Sequence, residues 1–315
     1  MYSYQIVEWI LFFYIYCVFG WIFESTYVSL KSKKFVNRGF MKGPMIPIYG
    51  EGAIMMVIAT YPVRGNIPLE FVMGMVGATL LEFVVGAIME YVFKVKYWDY
   101  SNQPFNVKGY ICLSSTICWG VLSVLLAELI HIPIERFVLS INDTVQYGLV
   151  LCVSALFVFD AVTSAKEAWD LRILLVALTK AKEEIVALQH QLEVKKDQIA
   201  EQLTDKKEEL VEQLTDYKEE ITSQLVDKKE ELFEDLQAKK EYIVQSLKKG
   251  SAVVKEAESL KKKIDDERKR YQAMVEKLSL PNVRILRRNP GATSKKFYEA
   301  LESVKEHLEI KRKNK

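Results

Sequence analysis

The sequence predicts an all-α chain: a polytopic transmembrane helical bundle of about five spans, followed by a long cytoplasmic coiled-coil-like helix. Three observations carry this. Apolar runs long enough to cross a bilayer fill residues 1–165, most of the Lys, Arg, Asp and Glu fall in 166–315, and an 11-residue repeat occupies 190–244. The averages of 50% hydrophobic and 27% charged residues, with a net charge of +2, conceal this division. No single solvent suits both halves.

A helix crosses the ~30 Å hydrocarbon layer with about 20 apolar residues. Such runs lie at 4–30, 67–93, 110–130 and 145–165. A shorter run at 46–63 is interrupted by Pro47, Gly50, Glu51 and Gly52, so it reads as a fifth span or as a broken, re-entrant helix. The first run is expected to stay in the mature protein, because no Lys or Arg precedes it and Glu24 stands where a cleavage motif would need small residues. The four cysteines lie in or beside apolar runs without CxxC spacing, and they read as small core residues.

Positive charge sets the orientation, since Lys and Arg are retained on the cytoplasmic side. The first loop carries Lys31, Lys33, Lys34, Arg38 and Lys42, and the third carries Lys94, Lys96 and Lys108; the second and fourth offer only Arg64 and Arg136. Five crossings with the N-terminus outside then place the charged tail in the cytoplasm.

Acidic groups inside a bilayer are costly and face a bundle interior or a water-filled cavity. The candidates are Glu24, Glu51, Glu82, Glu90 and Asp160. In the third span Gly74, Ala78, Glu82, Gly86 and Glu90 recur every four residues, a ridge of small and acidic side chains expected to face protein. Two readings stand: carboxylates that hold the bundle together, and an ion or substrate pathway. Two loops expected on the cytoplasmic face are dense in turn-forming residues. One runs from Asn37 through Arg38, Gly39, Gly43, Pro44, Pro47, Tyr49 and Gly50, the other from Trp98 and Asp99 through Asn106 to Gly109. They read as a fixed lid, with Arg38 expected to pair with Asp99 and with Tyr97, Trp98 and Tyr100 open to reading as an interfacial aromatic belt.

Gly20-Trp21-Ile22-Phe23-Glu24, the Asn37 to Gly43-Pro44 run, Pro47-Ile48-Tyr49-Gly50, Trp98-Asp99-Tyr100-Ser101 with Asn106 and Gly109, and Trp119-Gly120 carry a resemblance. Over residues 5–165 the chain resembles the bacterial type IV ABC-transporter membrane family, the CmpB-like permeases, while the tail does not. The resemblance implies a permease of the bacterial inner membrane without agreed site residues, and Glu51 stands where an apolar residue is expected. The chain has no GxxxxGK[ST] phosphate loop, so an ATPase, if one drives it, is a separate subunit. With no HExxH, GxSxG or histidine cluster, no enzymatic activity, cofactor or metal is expected.

The tail, 166–280, holds five units beginning at His190, Glu201, Glu212, Ser223 and Glu234. Leucine recurs at Leu192, Leu203, Leu214, Leu225 and Leu236, and Ile or Leu at Ile199, Leu210, Ile221, Leu232 and Ile243. Eleven residues over three turns keep this stripe on one face of a nearly straight helix. With no Gly or Pro from Lys166 to Lys249, one helix of ~125 Å is possible. The stripe fits a coiled coil with another copy, packing on a membrane surface, or a solvated single helix. Leu171 to Leu178 is expected to continue the last span along the interface, and Gly250 to form a hinge. From 281 a basic linker leads to a short helix with Phe297, Leu301, Val304 and Leu308 on one face, capped by Thr293 or Ser294. Its basic end, Lys311 to Lys315, suits anionic lipid better than nucleic acid. The partners expected are therefore the bilayer, a second copy through the coiled coil, and a separate ATPase. The principal alternative is a non-transporting membrane-anchored scaffold whose tail organises partners.

Overall fold

The computed structural model describes residues 4–224, 229–276 and 280–313. The described residues are overwhelmingly helical and contain no strand beyond isolated bridges. The chain forms two compact units, 1–176 together with 278–315, and 177–277. It leaves the first unit after Val176 and re-enters it at Leu278.

In the first unit, α1 (Ile6–Ser32) buries Val7, Leu11, Phe12, Tyr16, Cys17 and Gly20, a stripe at helical spacing, and leaves Phe19, Ile22 and Phe23 exposed. Exposed apolar side chains on a long apolar helix suit lipid. After α1 the chain does not turn away. It runs back along the helix it has just left: Val36 N–H donates to Ser29 Oγ (2.9 Å), Arg38 N–H to Ser25 Oγ (3.1 Å), and Ile46 N–H to Cys17 O (3.0 Å). Only then does α2 (Pro47–Thr60) begin, with Pro47 in its first turn, where a missing N–H costs nothing. Cys17 lies fifteen residues before Ser32, so α2 starts about 22 Å back along α1.

The interrupted run at 46–63 is therefore a 14-residue helix with a short 3-10 turn, Tyr61–Val63. By itself α2 falls short of the ~20 residues a crossing needs. Two glycines permit the close fit. A Cβ at Gly20 would lie 2.2 Å from the Tyr49 side chain, and one at Gly50 would lie 2.5 Å from Cys17 Sγ and 2.7 Å from the Phe13 carbonyl.

α3 (Ile67–Phe93) buries Gly74, Ala78, Glu82 and Gly86, so the ridge does face protein. It packs on α4 (Leu113–Leu125) and on α2. Where the sequence suggests a span ending at Ile130, α4 instead passes through a π-helical turn, Leu126–Ile130, into α5 (His131–Ser140), and the whole is long and apolar enough to cross. Pro133 has no N–H to give, and widening the ladder one turn earlier lets the helix absorb it. His131, which looks like a span-ending residue, is buried and bonded to Tyr16 Oη at 2.7 Å.

α6 (Asp143–Gln224) contains the last span and continues far beyond it. Among the described residues four helices are long and apolar enough to cross a membrane. Leu171 and Leu175, expected along an interface, are fully buried instead, and Arg172 Nη1 donates to Val92 O (2.7 Å).

In the second unit α6 is described to Gln224 and α7 from Lys229 to Glu276, and the tail is not a single straight helix of ~125 Å, because residues about sixty apart in sequence meet. The two lie side by side: Lys195 Nζ is 2.8 Å from Glu256 Oε2, and Val194 and Leu260 line a shared groove. Gly250 is no hinge, because α7 continues through it; flanking Lys, Ser, Leu and Ala residues sustain the helix against the cost of one glycine. Of the repeat, Leu192 and Ile199 are half-buried while Leu203 is 63% exposed. The side chains of Leu210, Leu214, Ile221, Leu225, Leu232, Leu236 and Ile243 lie outside the described residues, as do those of Lys311 to Lys315.

The region expected to be a linker opens as a helix, α8 (Leu280–Arg288), in which Val283, Ile285 and Leu286 are buried. Pro281 lies within α8, in the first turn of its described residues, where its missing N–H is tolerated. After a turn at Asn289–Ala292 comes α9 (Tyr298–Lys313), with Phe297, Leu301, Val304 and Leu308 buried as the pattern predicts. Ser294 Oγ accepts from Phe297 N–H (3.1 Å), which closes the turn that leads into α9.

Candidate functional site

The end of the bundle that carries the 33–46 and 94–112 segments gathers nearly all the polar residues singled out above. Glu24, on the sixth turn of α1, accepts from Tyr49 Oη (2.9 Å) and faces Arg38 Nε (3.4 Å). The extended segment before α2 brings Arg38 there, and the Gly20 gap admits Tyr49. Glu82 is buried on the α3 ridge and accepts from Trp119 Nε1 (2.9 Å) and Tyr100 Oη (3.3 Å). The Tyr49 and Trp119 rings touch, with centroids 5.7 Å apart, so the two carboxylates are joined through one aromatic pair.

Two turns on, Glu90 accepts from Tyr110 Oη (2.5 Å) and lies 3.8 Å from Lys96 Nζ. Lys96, with a side chain only 2% exposed, lies 3.8 Å from Asp99 as well and donates to Lys108 O (2.6 Å). Asp99 also accepts from Ser101 N–H and Oγ–H and from Thr293 Oγ1 (2.6 Å). Burial pushes the Asp99 carboxyl up, but the hydrogen bonds from Ser101 and Thr293 and the charge of Lys96 outweigh it and hold it below the usual aspartate range. Burial and the Glu82 and Glu24 charges push the Tyr100 phenol well up, so it stays a donor.

Arg38 and Asp99 do not pair with each other. Arg38 Nη1 donates to Asn289 Oδ1 (2.9 Å) and Asp99 takes the Thr293 hydroxyl, so the turn between α8 and α9 stands between them. Nor do the three aromatics form a belt. Tyr97 is buried against Phe40 and Phe93, Trp98 Nε1 donates to Tyr110 O (2.9 Å), and Tyr100 reaches Glu82.

The loop motif residues hold this shape. Asn37 Oδ1 accepts from Trp21 Nε1 (2.6 Å) and its Nδ2 donates to Lys42 O (2.7 Å). Gly39 adopts φ +125°, and a Cβ at Gly43 would lie 2.9 Å from Asp160 Oδ2, which accepts from the Gly43 N–H (2.7 Å). Pro44 lies between that contact and the start of α2 at Pro47. Gly109, at φ +75°, leaves room for Asp99 and Lys96. Asp160 is thus a clamp on the first loop. Glu51 is apart from the group: it lies in an apolar groove of about 610 Å³ with Phe13, Ile54 and Leu81.

Sequence reasoning missed Lys96 as a buried cation, Tyr100 and Trp119 as donors to Glu82, and the Arg288–Thr293 turn. It also missed a second polar group at the opposite end, where Tyr4 Oη reaches Glu135, Tyr16 Oη reaches His131, and the buried Glu70 accepts from Gly65 N–H (2.7 Å). Tyrosine in an apolar run looks like any core aromatic; only the facing carboxylate marks it. Among the described residues no three His, Cys, Asp or Glu side chains converge to hold a metal ion.

Neither the comparison with curated proteins nor that with solved structures gives a match. A family model does: the one described as "Putative ABC-transporter type IV" matches residues 11–165, which contain α1 to α5, the membrane span of α6 and the motif loops. Residues 11–165 of this chain are thus similar to that ABC-transporter type IV family.

Proposed function

We propose that the chain is the permease-like subunit of a transport system of the bacterial inner membrane, with its N-terminus outside and its tail in the cytoplasm. The observation that carries this reading is the composite second span, in which an extended segment and the half-length helix α2 bring Arg38 and Tyr49 onto Glu24 beside the buried Glu82. Broken helices that expose irregular backbone are tolerated at membrane depth where they line a binding site or cavity. The end bearing these groups carries the eight Lys and Arg of the first and third loops, which supports its cytoplasmic placement. Lacking a phosphate loop, the chain takes its energy from a separate ATPase. Purification of the full-length protein in mild detergent, with mass spectrometry of what accompanies it, tests this. A stoichiometric ATPase whose turnover falls about tenfold with Glu82→Gln is expected; recovery without any ATPase overturns the reading.

A second reading, a membrane-anchored scaffold that assembles with further copies, draws on the tail, because Leu203 and Val211 are left exposed on the repeat helix. It predicts a homo-oligomer that dissociates on deletion of 190–244, with activity that survives replacement of the membrane domain by an unrelated anchor.

A further inference from the structure

The segment between α8 and α9 is held by the two motif loops through an unusual density of polar contacts. Lys96 and Thr293 exchange two main-chain hydrogen bonds, Lys96 N–H to Thr293 O (2.8 Å) and Thr293 N–H to Lys96 O (2.9 Å). Asn289 Nδ2 donates to Gly39 O (3.0 Å), Arg288 Nη2 to Phe40 O (3.2 Å), and Ser294 Oγ to Lys94 O (2.7 Å). Arg38 and Asp99 complete the set by binding Asn289 and Thr293. Main-chain carbonyls on both loops, one bridge of β type and two charged side chains make a surface complementary to polypeptide backbone and short polar side chains. The surface lies within the family match and its occupant lies outside it.

We propose that the 37–42 and 94–99 loops form a polypeptide-recognition site, that residues 288–294 of the same chain are its resident occupant, and that occupancy is transmitted to Glu24 through Arg38. The transmission is structural. Arg38 is one rigid fork shared between the two sites, its Nη1 on Asn289 and its Nε on Glu24 at 3.4 Å, so an acceptor lost at one side leaves the guanidinium free to move toward the other. Binding energies so linked are reciprocal: a ligand at Glu24 whose affinity changes by some factor with occupancy changes the affinity for the occupant by that same factor. The buried Val283, Ile285, Phe297 and Leu301 flanking the turn supply affinity, and the polar turn supplies register. The site does not depend on anything being transported.

The test uses the full-length protein in detergent and a fluorescent peptide of residues 280–313. On the wild-type chain the resident segment excludes the peptide. The Asn289→Ala/Thr293→Ala chain, whose resident has lost its bonds to Arg38, Gly39 and Asp99, is expected to bind the peptide at least tenfold more tightly. Adding Arg38→Ala to that chain should weaken binding about tenfold, and adding Glu24→Gln should change it by threefold or more. Should the double variant fail to fold, Thr293→Ala alone carries the same expectation at about threefold. Equal binding to wild type and variant, or binding indifferent to Arg38→Ala, overturns the site; binding indifferent to Glu24→Gln overturns the coupling.

Discussion

At the scale of single residues, the carboxylates differ in what surrounds them, and this decides what each substitution does. Glu82 receives two donors, the buried Trp119 Nε1 and the half-buried Tyr100 Oη. Removing an acceptor strands both, and a buried unsatisfied donor costs about 1–3 kcal/mol. Glu82→Ala should therefore lower stability by about 2 kcal/mol or more, and Glu82→Gln, which keeps one acceptor oxygen, by roughly half as much; equal thermal midpoints for wild type and Glu82→Ala in detergent would refute the network. Asp99 offers a pH test. Its folded pKa lies below that of the unfolded chain, so its contribution is fully present above the ordinary aspartate value near 3.9 and is lost as pH falls through the lower folded value. The gap in melting temperature between wild type and Asp99→Asn should be constant from about pH 5 to 7 and close below about pH 4; a gap unchanged at pH 3 sinks the assignment. Glu82 was legible in the sequence because an acid at four-residue spacing with Gly74 and Gly86 must face protein. The Asn289 partner of Arg38 was not, because a guanidinium can reach several acceptors and nothing in the sequence placed Asn289 within range.

Among the elements, the α3–α4 contact shows how far small residues set geometry. A Cβ at Gly74 would lie 2.1 Å from Ser123 Cβ and 2.3 Å from its Oγ, and that hydroxyl is already committed to Glu70 O and Gly120 O. Gly74→Ala should cost about 1–3 kcal/mol by overpacking. Since the clash is with Cβ itself, adding Ser123→Gly should restore part of the loss and adding Ser123→Ala should not. A double-mutant cycle on thermal stability reads this directly, and full independence of the two positions would mean that the helices do not meet there. Element identity was largely legible, since the long apolar runs and the small-residue ridge are strong signals. Boundaries were less so: Pro133 and His131 look like an ending, yet a π turn and two tyrosine hydroxyls absorb them. Pro281 likewise reads as a stop, although the same residue is well suited to a first helical turn. Both errors arise because proline and histidine punctuate a sequence only when no partner receives them.

For the whole molecule, the positions of the loops fix which ends of the helices lie together. Ser25 and Ser29 near the end of α1, Glu90 near the end of α3, Tyr110 before α4 and Asp160 on α6 all touch the motif loops. Tyr4, Gly65 before α3, His131 and Glu135 gather at the other end. Each helix and the composite second span thus alternate in direction, and the first and third loops, rich in Lys and Arg, share one end with the start of the tail. The charge bias was readable from sequence; that residues 33–46 run back along α1 before α2 begins was not, because a non-helical segment has no periodicity to detect. If the basic end is cytoplasmic, an exposed position at the other end must face outward. Ser140→Cys in intact cells should react with a membrane-impermeant maleimide, whereas Asn102→Cys, also exposed but on the loop beside Asp99, should react only after the membrane is opened. The reverse pattern would invert the chain in the membrane. Labelling of both in intact cells would show that the continuous α4–α5 helix does not separate the two ends, and the assignment of the basic end to the cytoplasm, on which the orientation in the proposed reading rests, would fall.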